Sequence, residues 1–125
     1  MAFSTIDKGS SWMNSVIYTG TGSSNAITGV GFQPDLVWIK GRSNTSENSL
    51  FDVIRGVNQR LRSNSDGAQT TAGSSLTAFD ADGFTVVSHG DVNTDTHTYA
   101  SWSWKANGAG SANTVGSIDS TVSVN

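Results

Sequence analysis

The sequence predicts an all-β fold, an antiparallel, jelly-roll-like β-sandwich with about seven or eight short strands and long polar loops. Ser, Thr, Asn and Gly occupy 58 of the 125 positions, which favours strands and turns over helices. Apolar runs of strand length alternate with clusters of Gly, Ser, Asn and Asp, and no run has a helical period. Hydrophobic residues make up only 35% of the chain, so aromatic residues must supply much of a thin core.

A chain of this length accommodates one domain. We expect an N-terminal arm over residues 1–15, a β-sandwich module over residues 16–105, and a linker-like segment with a C-terminal strand over residues 106–125. The Gly, Ala, Ser and Asn content of residues 106–116 is typical of a linker. Alternation of polar and apolar residues then resumes over residues 117–124.

Four strands are predicted in the first half of the module. Val16–Thr19 ends at a cluster of Gly, Ser and Asn, and a short strand follows around Ala26–Thr28. Pro34 and the glycines before it indicate a loop. Leu36–Lys40 then predicts a buried strand, and Ser49–Arg55 is a second apolar run.

Further strands are predicted in the second half. Gln59–Asn64 alternates polar and apolar residues, which is typical of an edge strand with a solvated, charged face. An Asp-Gly pair at residues 82–83 separates the strand-like runs Leu76–Phe79 and Phe84–Ser88. This is the strongest hairpin signal in the chain.

The segment Thr98–Lys105 has the clearest period of two. One side carries Trp102 and Trp104, and the other carries Tyr99 and two serines. Because tryptophan buries a large apolar area, we expect the tryptophan side of this strand, together with Trp38, to lie in the core.

Charge and cysteine content exclude several classes of protein. The net charge is −3, so the basic excess of a nucleic-acid-binding protein is missing. A chain without Cys has no disulfide framework and no thiolate nucleophile. No window approaches the roughly 18 apolar residues of a transmembrane helix, so we expect no membrane insertion. From the net charge we likewise expect no nucleic-acid binding.

Three arginines and one tryptophan are candidates for surface contacts. Arg55, Arg60 and Arg62 are close in sequence and could bind a phosphate or an acidic sugar. Charges that protect an edge strand, or a salt bridge between subunits, are the simpler interpretation. Trp12, near the N-terminus, is a candidate for stacking on a sugar ring or for contacting another subunit.

Asp80 and Asp82, with further aspartates downstream, could supply oxygen ligands to calcium. An EF-hand loop needs alternating ligands before its Gly and a bidentate Glu after it, but Glu47 is the only Glu in the chain. We therefore interpret both aspartates as turn residues that could also contribute to a surface or subunit contact. We expect neither a metal nor a cofactor.

Catalytic motifs are missing from the sequence. The chain has many Ser residues but no Gly-x-Ser-x-Gly elbow, and we expect His89 and His97 to be solvated loop residues. No nucleophile, acid and base stand out together, so we do not expect an enzyme. An enzyme, for example a depolymerase acting on capsule sugars, is therefore the weakest functional hypothesis for this sequence.

Several stretches, spread over nearly the whole chain, carry a resemblance to a known family. They are Met1–Asp7, Tyr18–Gly20, Gly29–Lys40, Leu50–Gly56, Leu76–Phe84 and Tyr99–Lys105. They look like a recurrent module of virion structural and tail-fibre-like proteins of tailed bacteriophages, of the marine phage type. In longer relatives, the segment corresponding to Ser120–Ser123 leads into another β-rich module, so we expect either a short version or the first module of a longer protein.

The resemblance implies a non-enzymatic virion protein: a tail-fibre, appendage or capsid-surface decoration module, made in the host bacterial cytoplasm and located in the virion. Its partners would be other virion proteins and further copies of itself, with a trimer favoured because virion appendages are commonly threefold. The alternative is a receptor- or carbohydrate-binding module that attaches the phage to host surface glycans. In that case the long loops at residues 41–48, 65–75 and 90–96 would contact the ligand.

Overall fold

The computed structural model describes residues 8–106, 111–113 and 120–122. Strands within these residues form antiparallel sheets of six, three and two strands, which confirms the prediction of an all-β sandwich. The strands are β1 (Met13–Thr19), β2 (Asn25–Ile27), β3 (Leu36–Gly41), β4 (Ser49–Asp52), β5 (Gln59–Arg62), β6 (Thr70–Thr71), β7 (Leu76–Asp80), β8 (Gly83–Val86), β9 (Thr98–Trp104), β10 (Ser111–Asn113) and β11 (Ser120–Val122).

The largest sheet has the strand order β1-β9-β3-β4-β5-β6, and the second has the order β2-β8-β7. Strand β10 pairs with β11 in the third sheet. Strand β9 pairs along its whole length with β1 on one side and with β3 on the other. One face of β9 therefore lines the space between the two larger sheets, and the other face points away from it.

The predicted Asp-Gly hairpin is confirmed as β7–β8. Asp80 lies opposite Gly83, where φ is 150°. A Cβ atom at residue 83 would collide with the carbonyl oxygen of Ile27. Glycine is therefore needed both for the backbone conformation and for the close approach of β2.

The hydrophobic core lies between the two larger sheets and is built around aromatic rings. Tyr18 of β1 stacks on Tyr99 of β9 with ring centroids 5.2 Å apart, and Phe84 of β8 meets Tyr18 edge-on at 6.3 Å. Aliphatic side chains and one more ring complete it, namely Ile27, Val37, Ile39, Phe51, Leu76, Val86 and Val92.

The expectation that the tryptophan side of β9 faces the core is wrong. The buried residues of β9 are Tyr99 and the two serines at positions 101 and 103, whereas Trp102 and Trp104 are only half-buried. Trp38 is half-buried on β3 as well. The tyrosine and phenylalanine rings of neighbouring strands fill the space between the sheets, so small side chains fit beneath β9 and the tryptophans lie outside.

Strand β5 is not the edge strand that the sequence predicts. It lies between β4 and the two-residue strand β6, and only 8% of Arg60 is exposed. The alternation of charged and apolar residues in β5 therefore reflects one side that buries Arg60 and another that leaves Leu61 half-buried.

Helical structure within the described residues consists of a 3-10 turn at Gly9–Ser11 and the single-turn helix α1 at Gly90–Asn93. Helix α1 forms in the segment 90–96, which the sequence predicts as a loop. His89 precedes it, and its Nδ1 atom accepts a hydrogen bond from the backbone N–H of Asp91. No helix in the described part of the chain has the length and hydropathy needed to cross a membrane.

Strands occur inside both predicted terminal segments. Strand β1 begins at Met13, so the end of the predicted arm belongs to the largest sheet. Residues 1–7 of that arm lie outside the described residues. Of the predicted linker and C-terminal strand, β10 and β11 form a paired ladder. The positions outside the described residues there are 107–110, 114–119 and 123–125.

Candidate functional site

The outer side of the six-stranded sheet, turned away from the core, carries a band of large apolar side chains. Register places Trp102 opposite Trp38, and Trp38 opposite Leu50. Leu50 in turn lies opposite Leu61, so the band crosses four strands. We call this surface the tryptophan face. Its large apolar members are Met13, Ile17, Leu36, Trp38, Leu50, Leu61, Trp102 and Trp104.

The tryptophan face is separate from the core, because none of its eight members belongs to the buried cluster. Ile17 is 64% exposed and Met13 is 39% exposed. The other six are half-buried. Contiguous apolar surface of this kind is typical of interaction sites rather than of solvated sheet faces.

Two tryptophans form the centre of this face. The ring centroids of Trp38 and Trp102 are 5.5 Å apart and the ring planes are tilted by 45°. The Nε1 atom of Trp38 is buried and has no hydrogen-bond partner in the described part of the chain. The centre of the face therefore presents ring carbon atoms and does not offer this indole N–H to a ligand.

Within the described strands, two charged residues lie on the outer side of the sheet, and both are engaged within the chain. The Lys40 ammonium donates to the carbonyl oxygen of Ser46. The Asp52 carboxylate accepts from the backbone N–H of Arg55 at 2.8 Å and from its Nε at 2.5 Å. Burial alone would raise the pKa of Asp52, but the hydrogen bonds and charge of Arg55 hold this pKa below its usual value.

The structure does not bring the three candidate arginines together as an anion site. Arg55 pairs with Asp52. Arg60 pairs with Asp91 in the first turn of α1. Arg62 pairs with Glu47, with Nη1 and Oε2 2.9 Å apart. Since each guanidinium already contacts a carboxylate of its own chain, the residues close in sequence do not form a basic cluster.

Trp12 lies just before β1 and is half-buried. The Lys105 ammonium is 5.5 Å from the centroid of its ring, which is within cation–π distance. The backbone N–H of Lys105 also donates to the carbonyl oxygen of Trp12 at 2.8 Å. Trp12 thus ties the start of β1 to the end of β9, and its ring is still partly open to a contact.

Asp80 and Asp82 stabilise the β7–β8 hairpin and the neighbouring loop. The Asp82 carboxylate accepts from the backbone N–H groups of Gly29 at 3.0 Å and Gly31 at 2.6 Å, and these bonds lower the pKa of Asp82. The Asp80 carboxylate accepts from the hydroxyl of Thr85 at 2.7 Å. In the described part of the chain, no three acidic or histidine side chains converge on one point.

The two histidines are more engaged than the sequence suggests. His89 is half-buried and caps α1, and burial, followed by the charge of Arg60, lowers the pKa of its imidazole. The nearby Asp91 carboxylate has the opposite effect. The Nδ1 atom of His97 lies 3.3 Å from the hydroxyl of Ser43. Both rings therefore contact the fold rather than only solvent.

A buried polar network that the sequence did not reveal holds α1 against the loop after β1. The side chain of Asn93 is fully buried. Its Oδ1 atom accepts from the backbone N–H of Thr21 at 3.0 Å and from Asn25 Nδ2 at 3.1 Å, and its Nδ2 donates to the carbonyl oxygen of Ser23. Asn93 stands in a polar stretch of the sequence, where no periodicity marks it as buried.

The apolar residues of β1 were also missed as candidates. Met13 and Ile17 alternate with Val16 and Tyr18, so both faces of β1 carry apolar residues and the sequence does not show which one is outside.

Comparison with models of protein families identifies a family for this chain. A family model described as a domain of unknown function, DUF7483, matches residues 8–125.

The chain belongs to the DUF7483 family. The match covers both larger sheets and the whole tryptophan face, so the surface described above lies within the family domain. No curated protein and no solved structure matches the chain.

Proposed function

We propose that this DUF7483 protein is a non-enzymatic structural component of a bacteriophage virion, a tail-fibre, appendage or capsid-surface decoration module that works by assembly. The observation that carries the proposal is the tryptophan face, where eight large apolar side chains lie outside the core. The resemblance of several sequence stretches to phage virion modules is the reason for proposing a bacteriophage virion as the location. Such a face is stabilised when another protein surface covers it.

The experiment is to identify the polypeptide in purified particles of a phage that encodes it. Mass spectrometry of the particles should detect it in stoichiometric amounts, and electron cryo-microscopy should show its position. Particles without the polypeptide would contradict a virion role. The expected location is the assembled virion, after synthesis in the host cytoplasm.

A second candidate function is attachment to host surface glycans, and the observation that favours it is the partial exposure of Trp12 and Trp102. Aromatic rings stack on the apolar faces of sugars, so a glycan would need an accessible ring flanked by polar groups. Binding of the full chain to a glycan array, lost in Trp102→Ala or Trp12→Ala but kept in Ala26→Lys, would support this function. No retention of the wild-type chain would count against it.

A further inference from the structure

We propose that the tryptophan face is covered by the tryptophan face of a second copy of this chain, in a twofold contact between the outer sides of two six-stranded sheets. This inference rests on the proposed assembly function and names the partner. It follows from the extent of the face, the pairing of Lys40 and Asp52 within the chain, and the geometry of the rings.

The area of the face suits an interface between proteins. With Ile17 64% exposed, Met13 39% exposed and six more side chains half-buried, the apolar area is on the order of 500 Å². A standard interface takes roughly 800 Å² from each partner, of which about 60% is apolar. The tryptophan face with its polar margin therefore has both the area and the apolar fraction of one side of such an interface.

The charges on this side of the sheet select an apolar partner. Lys40 and Asp52 already bind Ser46 and Arg55 of the same chain. Arg42, just beyond β3, is exposed and forms no salt bridge within the described residues, so its positive charge lies at the margin of the face. Across the eight apolar residues themselves, a charged partner would meet no unpaired charge from the described strand residues, so its own charges would lose water without compensation. The partner must therefore be apolar and weakly charged over a similar area, and a second tryptophan face meets both conditions.

The ring geometry favours a protein over a glycan at the centre of the face. A flat sugar platform needs rings that lie side by side in one plane, but Trp38 and Trp102 are tilted by 45° at 5.5 Å. The buried Nε1 of Trp38 also does not reach a sugar hydroxyl. Interdigitating side chains of a second sheet, about 10 Å away, fit such an uneven apolar surface.

The symmetry of the contact follows from its self-complementarity. When one surface meets the same surface of another copy, the contact is isologous and closes as a dimer around a twofold axis. An axis near Trp38 would set the Trp38 and Trp102 pair of one copy against that of its partner. A threefold assembly would instead join this face to a different surface of the next copy.

The test is sedimentation equilibrium of the full chain over a wide range of concentration, with three variants. Ile17→Lys and Leu50→Lys place a charge on the tryptophan face. Ala26→Lys adds the same charge at an exposed position of β2, in the smaller sheet, and is the matched control. Circular dichroism before each run verifies that the variants are folded. Ile17→Lys should preserve the fold, because the side chain of Ile17 is largely solvated.

We expect the wild type and Ala26→Lys to dimerise with equal affinity, and each face variant to weaken dimerisation by at least about tenfold. A wild-type chain that stays monomeric, a trimer, or a dimer that neither face variant weakens would overturn the twofold contact. Each of these results leaves the virion role standing if the polypeptide is found in particles. Absence from particles would overturn the virion role whatever the oligomeric state.

Discussion

The two sides of strand β9 differ in a way that its sequence does not suggest. The inner side carries Tyr99 and two serines and is fully buried, whereas the outer side carries two tryptophans that are half-buried. The larger apolar side chains are therefore on the more exposed side. The inner side contributes close packing and hydrogen bonds within the fold, and the outer side contributes apolar area that is available for contact.

The hydroxyl group of Tyr99 shows what the inner side contributes. It donates to the carbonyl oxygen of Gly90 at 3.1 Å and accepts from the backbone N–H of Thr94 at 2.9 Å. It also accepts from the Asn44 side chain at 3.2 Å. This one side chain therefore joins β9 to the segment around α1 and to the loop after β3, while its ring stacks in the core.

The sharpest test of this difference is truncation on each side of β9. Tyr99→Ala should lower the free energy of unfolding by about 4 kcal/mol, because it removes a buried ring and the acceptor of the backbone N–H of Thr94. Trp102→Ala should lower it by less than about 2 kcal/mol, although more atoms are removed, because the ring is partly solvated. Urea denaturation followed by circular dichroism measures both, and an equal or larger loss in Trp102→Ala would contradict the assignment of the two sides.

The arginine pairs of Arg60 and Arg62 also differ in burial, although both arginines lie on the same side of β5. Asp91→Ala should cost about 3 kcal/mol, because it leaves the buried guanidinium of Arg60 without its carboxylate. Glu47→Ala should cost less than about 1 kcal/mol, since Arg62 and Glu47 are both partly solvated. Urea midpoints at low and moderate salt distinguish the pairs, and similar losses in the two variants would show that Arg60 is not buried in solution.

A smaller effect, this time a gain in the free energy of unfolding, is expected for one of the two buried serines on the inner side of β9. The hydroxyl of Ser103 is buried without a partner in the described part of the chain, whereas that of Ser101 donates to the carbonyl oxygen of Val16 at 3.3 Å. Ser103→Ala should therefore raise the free energy of unfolding by about 0.5–1 kcal/mol, and Ser101→Ala should lower it slightly. Thermal unfolding of the matched pair provides the measurement; a loss of stability in Ser103→Ala would indicate that its hydroxyl is paired.

The smallest expected effect is a pH dependence at His89, the residue before α1. Burial, followed by the charge of Arg60, lowers the pKa of His89 in the folded protein below its ordinary value of about 6.5. As pH falls through about 6.5, the unfolded chain takes up a proton that the folded chain still resists. The contribution of neutral His89 to stability is therefore complete above that pH and is lost as the pH approaches the folded-state pKa.

The variant His89→Asn keeps a side chain that can cap α1 but no longer titrates in this range. Urea midpoints from pH 8 to pH 5 should fall less steeply in His89→Asn than in the wild type. The variant Ser43→Ala, which removes the partner of the other histidine, His97, is the control and should keep the wild-type slope. Parallel curves for His89→Asn and the wild type would contradict the role given to His89.

Much of the fold is predictable from local sequence. The β7–β8 hairpin is found where the Asp-Gly pair predicts it, although the two turn residues are Ala81 and Asp82 and Gly83 is the first residue of β8. The strand at Leu36–Lys40 is likewise found where the apolar run predicts it, as β3. These features depend on contacts between residues that are close in sequence, so their signals are present in short windows.

The candidate site was predictable only in part. Trp12, Arg55 and Asp80 were singled out as residue types, but their partners within the chain depend on the fold. Arg60 binds Asp91, which is 31 positions away in sequence. The tryptophan face was missed as a site because its members come from five strands that become neighbours only in the folded sheet.

The two unlike sides of β9 follow from its sequence, because the backbone of a strand turns successive side chains to opposite faces. Which of the two sides faces the core is set by the packing of the two larger sheets. That choice depends on how much volume the rings of Tyr18, Phe51 and Phe84 leave between the sheets, and on the hydrogen bonds that Tyr99 reaches there. Neither quantity is a property of the strand itself, so the tryptophans that the sequence predicts as core form the outer face of the sheet.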